Sequence, residues 1–135
     1  RRRIDNTPSA AVLENLKHTA AGMQAVRDHL CEIAGREIPI VVTSAYRSPE
    51  LNVAIGGATS SQHVIGQAVD FVAPAFGTPK QVAEAIRDSG IDFDQIIWEG
   101  TWVHISFARD RALRRNVLTA HFGSGPTHYT SGIAA

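Results

Sequence analysis

The sequence predicts an α+β fold, because helical and strand-like patterns follow one another without the regular alternation of a doubly wound fold. A long amphipathic helix comes first, and short β-rich runs follow it. Two of these runs, 93–98 and 102–107, are separated by only three residues, Glu99 to Thr101. This spacing predicts an antiparallel hairpin and therefore a small antiparallel sheet with flanking helices.

The length of 135 residues fits one domain. We expect a single domain over 1–135, with its core at about 4–118. After Leu118 the chain becomes rich in Gly, Ser, Thr and His, so we expect an irregular tail over 119–135.

The composition excludes several classes of protein. Thirteen basic and thirteen acidic residues give a formal net charge of zero, which argues against a dedicated nucleic-acid binder. The single cysteine, Cys31, excludes an intramolecular disulfide. No apolar run approaches the roughly 18 residues of a membrane span, and no signal-peptide pattern opens the chain as given. We therefore expect a monomer without nucleic-acid or membrane partners.

The first helix has clear start and stop signals. Thr7 and Pro8 predict its N-cap and first helical position, and Gly35 predicts its end. Between them, apolar residues recur at steps of three and four, which predicts one buried helix face. The residues of this face are Val12, Leu13, Leu16, Ala20, Met23, Val26, Leu30 and Ile33.

Two strands are predicted on either side of a long loop. The β-branched run 38–43 predicts a buried strand, and 67–72 predicts a second strand. The intervening segment 44–66 contains a short predicted helix from 49 to about 55 that ends at the glycine pair 56–57. Long ordered loops in compact domains are often functional, so this segment is a candidate site.

A capping box predicts the last helix. Thr78 and Gln81 have the required spacing, and Pro79 occupies the first helical position. We expect this helix to end at Gly90. The side chains expected to point inward are those of Val82, Ala85 and Ile86.

Two histidines and an aspartate have settings that suggest a metal. His63 ends a serine-rich loop, and His104 lies inside a predicted strand. Asp70 lies between apolar residues, where a carboxylate is costly unless it is paired or bound to a cation. Two His and one Asp match an open zinc site with three protein ligands and one water. On spacing alone this is a weak signal, and ordinary buried, hydrogen-bonded roles are the favoured interpretation of these residues.

Further motifs follow in a specific order. They are SAYRSPELN at 44–52, GG at 56–57, SSQH at 60–63, GQAVDF at 66–71 and WVHIS at 102–106. This pattern resembles the zinc D-Ala-D-Ala carboxypeptidases and related peptidoglycan endopeptidases, which share a fold superfamily with lysostaphin and the hedgehog signalling domain. The small phage- and prophage-encoded members are the most similar. The resemblance implies a hedgehog/DD-peptidase-like fold.

The resemblance also implies roles for individual residues. One zinc ion is expected on His63, Asp70 and His104. The catalytic arginine of the family falls on Arg47, where a guanidinium can stabilise an oxyanion. A surface loop arginine is the alternative interpretation of Arg47.

Two polar residues just before the first histidine are implied to meet the substrate. Ser61 is expected to line the cleft and contact the peptide, and Gln62 is a second candidate contact. The implied partner is a peptide of peptidoglycan, and the implied site of action is the bacterial cell wall, reached in the periplasm or by phage delivery.

The general base departs from the family patterns. Some members carry an acid three residues before the third ligand, where this chain has Thr101, and others carry a histidine at the position of Trp102. Glu99 is the nearest acid. If Gly100 and Thr101 form a two-residue turn, Glu99 pairs with Trp102, which shares a face with His104.

Two questions stay open at this point. Glu99 also fits a solvated hairpin carboxylate, and Asp92 and Asp94 are weaker base candidates that we expect in a turn and at the surface. The first functional hypothesis is a zinc peptidase of carboxypeptidase or endopeptidase type. The alternative is a non-catalytic module that keeps the fold and metal but binds cell wall or protein. A carboxylate close to the metal would favour the peptidase.

Overall fold

The computed structural model describes residues 5–55, 61–109, 112–123 and 125–135. Gly56 and Gly57, the predicted end of the short helix, lie outside the described residues. The described elements, in chain order, are α1 (Ala10–Ala34), β1 (Val41–Ser44), α2 (Pro49–Ala54), β2 (Ala68–Val72), α3 (Pro79–Arg87), β3 (Gln95–Trp98), β4 (Val103–Ser106), β5 (Asn116–His121) and β6 (His128–Ser131).

The predicted α+β class is confirmed, and the described strands form one six-stranded sheet. Its strand order is β1-β2-β4-β3-β5-β6. The expectation of an antiparallel sheet is wrong at one pair, because β5 runs parallel to β3. In the hairpin, Ser106 at the end of β4 lies opposite Gln95 at the start of β3. The chain therefore enters β5 from that same end, with Asn116 opposite Gln95, and runs in the direction of β3.

The expectation of an irregular tail over 119–135 is wrong. Residues 119–121 complete β5, and β6 pairs with it in an antiparallel arrangement. The Thr119 hydroxyl donates a hydrogen bond to the Gly132 carbonyl at 2.7 Å and accepts one from the Ala134 amide at 2.9 Å. All four residues of β6 are exposed, so this strand lacks the apolar alternation that would have predicted it.

The core lies between one face of the sheet and helices α1 and α3. Strand residues such as Phe71, Ile96 and Ile105 are fully buried, together with Leu30 of α1 and Ile86 of α3. Side chains alternate along a strand, so the neighbouring positions in β2 and β4 point to the opposite face.

The boundaries of α1 differ in part from the prediction. The helix begins at Ala10 with Ser9 as N-cap, two residues later than predicted from Thr7, and it ends as predicted at Gly35, which has φ 68°. Three residues of the predicted buried face are exposed: Leu13 at 46%, Ile33 at 55%, and Ala20.

The prediction of a buried strand over 38–43 is wrong in position and burial. Strand β1 begins at Val41, and Val41 and Val42 are about half exposed because β1 is an edge strand with one neighbour. Ile38, just before the strand, is the fully buried residue of the run.

The two shorter helices follow their local signals closely. Helix α2 begins at Pro49 with Ser48 as its N-cap. The capping box of α3 is confirmed, because the Thr78 hydroxyl accepts from the Gln81 amide while the Gln81 side chain accepts from the Thr78 amide. Helix α3 ends at Arg87, before the predicted Gly90.

The buried face of α3 is confirmed at Val82 and Ile86, whereas Ala83 is fully buried and Ala85 only partly. Among the described residues, no helix has the length and apolar character that crossing a membrane requires.

Candidate metal centre

The pairing of β2 with β4 brings two of the predicted ligands together. Asp70 lies directly opposite His104, so both side chains project from the same face of the sheet, away from the helices. His63 joins them from the loop before β2. The Oδ1 atom of Asp70 lies 3.0 Å from Nδ1 of His104 and 3.2 Å from Nε2 of His63. One ligand atom from each residue lies within 4.8 Å of the others.

The hydrogen bond of His63 to the backbone determines which ring nitrogen faces the cluster. Nδ1 of His63 lies 2.6 Å from the Ala45 carbonyl oxygen, which can only accept. The proton of a neutral His63 is therefore on Nδ1, and Nε2 presents a lone pair to the Asp70 carboxylate. Two lone-pair atoms that face each other at 3.2 Å need a cation between them or a proton on one of them.

The donor set suits zinc. Two imidazole nitrogens and one carboxylate oxygen are zinc ligands, and three protein ligands leave a position open. The Ala45 carbonyl orients His63 from behind, as outer partners do at metal sites. His63 is almost fully buried, and Asp70 and His104 are partly buried.

The charge state of Asp70 is compatible with metal binding. Burial by itself raises the pKa of Asp70, but when the His104 and His63 rings are protonated, their hydrogen bonds to the carboxylate and their positive charges outweigh this effect. The net result is a pKa well below the usual range of an aspartate. Asp70 is therefore a carboxylate at neutral pH, which is the form that a metal requires.

Arg47 lies beside the loop that carries His63. Its backbone amide donates to the His63 carbonyl at 3.0 Å, and its Nη2 donates to the Ser61 hydroxyl at 3.1 Å. The Nε atom of Arg47 is buried and has no hydrogen-bond partner among the described residues. The guanidinium is thus held partly buried next to a candidate ligand, which does not fit the alternative of a surface loop arginine.

Ser61 organises the ligand loop. Its hydroxyl accepts hydrogen bonds from Arg47 and from the backbone amide of His63 at 3.2 Å. The predicted contact of Ser61 with substrate stays a prediction, but its position between Arg47 and His63 agrees with it.

Gln62 takes part in a buried network. Its amide nitrogen donates to Oδ2 of Asp94 at 3.1 Å and to Oε1 of Gln67 at 3.4 Å. These contacts give Gln62 a role in holding the loop that precedes His63. Its predicted contact with substrate stays a prediction.

The expectation of a surface position for Asp94 is wrong. Asp94 is fully buried, and its carboxylate accepts from Nη2 of Arg114 at 2.7 Å and from Nε at 3.1 Å. A carboxylate neutralised in this way is a poor general base, whereas Asp92 is exposed as expected. Asp94 is the important residue that sequence reasoning missed. Phe93 before it and the apolar run that begins at Ile96 give a weaker form of the signal that identified Asp70, because Gln95 follows Asp94 directly.

The hairpin geometry predicted for Glu99 is confirmed. The Glu99 amide donates to the Trp102 carbonyl at 3.0 Å, and Gly100 in the turn has φ 76°. Ile97 lies opposite His104, so Glu99, two residues further on, projects from the same face. The indole Nε1 of Trp102 donates to Oε2 of Glu99 at 3.0 Å and fixes the carboxylate.

The electrostatic surroundings of Glu99 also connect it with the cluster. Burial raises the pKa of Glu99; the charge of His104 lowers it, and that of Asp70 raises it. The net effect is a raised pKa. A carboxylate with a raised pKa beside a candidate metal centre is typical of a general acid–base group and does not fit a freely solvated side chain.

The fold and the site together define the class of a metallohydrolase: an open two-His, one-Asp cluster with an arginine and a carboxylate beside it. The family model described as Peptidase M15 matches residues 2–106, which include the whole candidate site. The chain belongs to the Peptidase M15 family, and the resemblance seen in the sequence is confirmed. This membership supports a peptidase. Comparison with curated proteins gives no match.

Proposed function

We propose that the protein is a zinc-dependent peptidase that cleaves peptide bonds in the stem peptides or cross-links of peptidoglycan, as a D-Ala-D-Ala carboxypeptidase or an endopeptidase. The observation that carries the proposal is the short approach of two lone-pair atoms, Nε2 of His63 and Oδ1 of Asp70, beside His104. A divalent cation accounts for this arrangement, and the family supplies the reaction class.

Zinc at such a site supplies Lewis acidity and makes water a nucleophile near neutral pH. His63, Asp70 and His104 would hold it. The remaining steps belong to residues of the chain. Glu99 accepts a proton from the attacking water and passes it to the leaving amine, and its raised pKa suits both transfers.

Arg47 stabilises the negative charge that develops on the substrate. When water adds to the scissile amide, its carbonyl oxygen becomes an oxyanion, and the Arg47 guanidinium donates hydrogen bonds to it. Ser61 holds the guanidinium through the bond at 3.1 Å, so the donors are oriented before substrate binds. Pre-oriented donors need no reorganisation during the reaction.

The proposal includes the surroundings of the enzyme. Its partner is a peptidoglycan peptide, and it acts at the bacterial cell wall as a monomer, without nucleic-acid or membrane partners. The balanced charge of the chain supports the absence of a nucleic-acid partner, because thirteen acidic residues offset thirteen basic ones. The sequence resemblance supports the substrate class.

Digestion of purified peptidoglycan by the zinc-loaded protein tests the proposal. Mass spectrometry of the products should show new amino and carboxyl ends within stem peptides or cross-links. Chelator-treated protein and the His63→Ala variant serve as controls and should release no products. If the zinc-loaded wild type binds peptidoglycan in a sedimentation assay and releases nothing, the non-catalytic binding module is correct instead.

A further inference from the structure

The face of the sheet that carries the candidate metal centre continues for three strands beyond His104. His104 lies opposite Ile97 of β3, Ile97 opposite Leu118 of β5, and Leu118 opposite Ser131 of β6. At about 4.8 Å between strands, this row extends about 14 Å from β4 to β6. Strands β5 and β6 lie after residue 106, where the family match ends.

Three aromatic side chains lie on this extension. Tyr129 of β6 is opposite Ala120 of β5, which lies in the row that continues from Glu99. Phe122 follows Ala120 by two residues and therefore projects from the same face. The ring of Phe122 lies 6.3 Å from the ring of Trp102, measured between centroids.

These aromatic residues do not belong to the core. Phe122 is 56% exposed and Tyr129 is 51% exposed, and both are absent from the buried cluster on the helical side of the sheet. Trp102 links Phe122 to the site, because its ring lies near Phe122 and its indole donates to Glu99. The exposed apolar surface is therefore continuous with the candidate catalytic centre.

Ala120, which lies between Tyr129 and Glu99 in this row, is only 7% exposed, so neighbouring side chains cover it. Burial raises the pKa of the Tyr129 hydroxyl, and the charge of Glu99 raises it further, so the ring lies within electrostatic reach of Glu99.

We propose that Trp102, Phe122 and Tyr129 form a subsite for the substrate peptide at a distance from the cleaved bond. This inference rests on the proposed function. A strand rises about 3.3 Å per residue, so a span of about 14 Å accommodates about four extended residues. The enzyme therefore prefers long or cross-linked peptides to dipeptides and tripeptides, and the aromatic faces pack against aliphatic groups of the peptide.

A series of synthetic stem peptides tests the subsite. The peptides extend from one to five residues on each side of the scissile bond, and kcat/KM is measured with zinc-loaded protein. For the wild type, kcat/KM should rise by about tenfold on one side as the peptide reaches the aromatic residues, and then level off.

Variants then assign the length preference to the aromatic residues. In Tyr129→Ala and Phe122→Ser, the ratio of kcat/KM for long over short peptides should fall to near one. Tyr129→Phe keeps the ring and should keep the preference. Ile33→Ala removes an equally exposed apolar side chain on α1, far from this face, and should leave the ratio unchanged. Thermal unfolding of each variant verifies that it is folded.

The outcomes separate this inference from the proposed function. If short and long peptides are cleaved equally well by the wild type, the subsite is wrong and the peptidase stands. If no peptide is cleaved, the proposed function fails. Calorimetric binding of the peptide with five residues on each side of the scissile bond then still tests the subsite. Equal dissociation constants for wild type and Tyr129→Ala would then overturn it.

Discussion

Replacement of Glu99 by glutamine tests the proposed proton transfer most directly. Glutamine has nearly the same size and keeps an oxygen that can accept the hydrogen bond from Nε1 of Trp102, now 3.0 Å long. The hairpin therefore stays intact, and His63, Asp70 and His104 are untouched. The variant loses only the ability to take up a proton.

The expected effect is a large loss of rate without loss of metal. General acid–base catalysis contributes roughly 10²–10⁴-fold, which is about 3–5 kcal/mol of activation free energy. Zinc content, measured by elemental analysis, should equal that of the wild type because Glu99 is outside the ligand cluster. Glu37→Gln is the matched control, since its side chain is 85% exposed and should leave the rate unchanged.

The raised pKa of Glu99 adds two readouts with a definite sign. The wild-type rate should fall at acid pH as the Glu99 carboxylate becomes protonated, because a protonated carboxyl cannot accept a proton. The folded state also favours the protonated form, so ionisation of Glu99 costs stability. Metal-free Glu99→Gln should therefore unfold at a higher temperature than metal-free wild type at neutral pH, and the difference should vanish at pH values below the unfolded pKa.

Several results would refute this reasoning. A Glu99→Gln variant that digests peptidoglycan at the wild-type rate means that the base lies elsewhere, with Asp92 as the next residue to test. If the variant loses zinc together with activity, the Glu99 carboxylate supports metal binding and its role in proton transfer is not shown.

Three other substitutions have distinct expected outcomes. His63→Ala should contain no stoichiometric zinc by elemental analysis, and full occupancy would exclude His63 as a ligand. Arg47→Ala should keep zinc and lose about 2–4 kcal/mol of transition-state stabilisation, measured as kcat/KM, whereas unchanged turnover would exclude the oxyanion role. Arg114→Ala removes the half-exposed counterion of the buried Asp94 and should lower the free energy of unfolding by about 1–3 kcal/mol in urea titrations. The exposed Arg87–Asp88 pair is its control, since Asp88→Asn should change stability by less than about 1 kcal/mol, and an equal effect of both variants would contradict the buried pair.

Local signals in the sequence predicted much of this fold. The capping box at Thr78, the left-handed glycine Gly35 and the turn at Gly100 each depend on contacts within a few residues, so the printed sequence contains the whole interaction. The hairpin placed Glu99 correctly for the same reason, because a two-residue turn defines the pairing of its neighbours.

The candidate ligands were predictable for a different reason. Asp70 is a carboxylate inside an apolar strand, and such a residue needs a partner whatever the rest of the chain does. The motifs around His63 and His104 then indicated which partners these are. The sequence by itself therefore determined the class of site, the three candidate ligands and the position of the nearest acid.

Only the tertiary structure decided what depends on contacts between distant segments. It placed β5 parallel to β3, added the exposed strand β6, left β1 at an edge and buried Asp94 against Arg114. Each of these features depends on which distant segments pack against the strand or side chain. The local pattern of apolar and polar residues contains no information about those contacts. An edge strand and a central strand can have the same β-branched composition, and a buried ion pair can join two residues that each look ordinary in sequence.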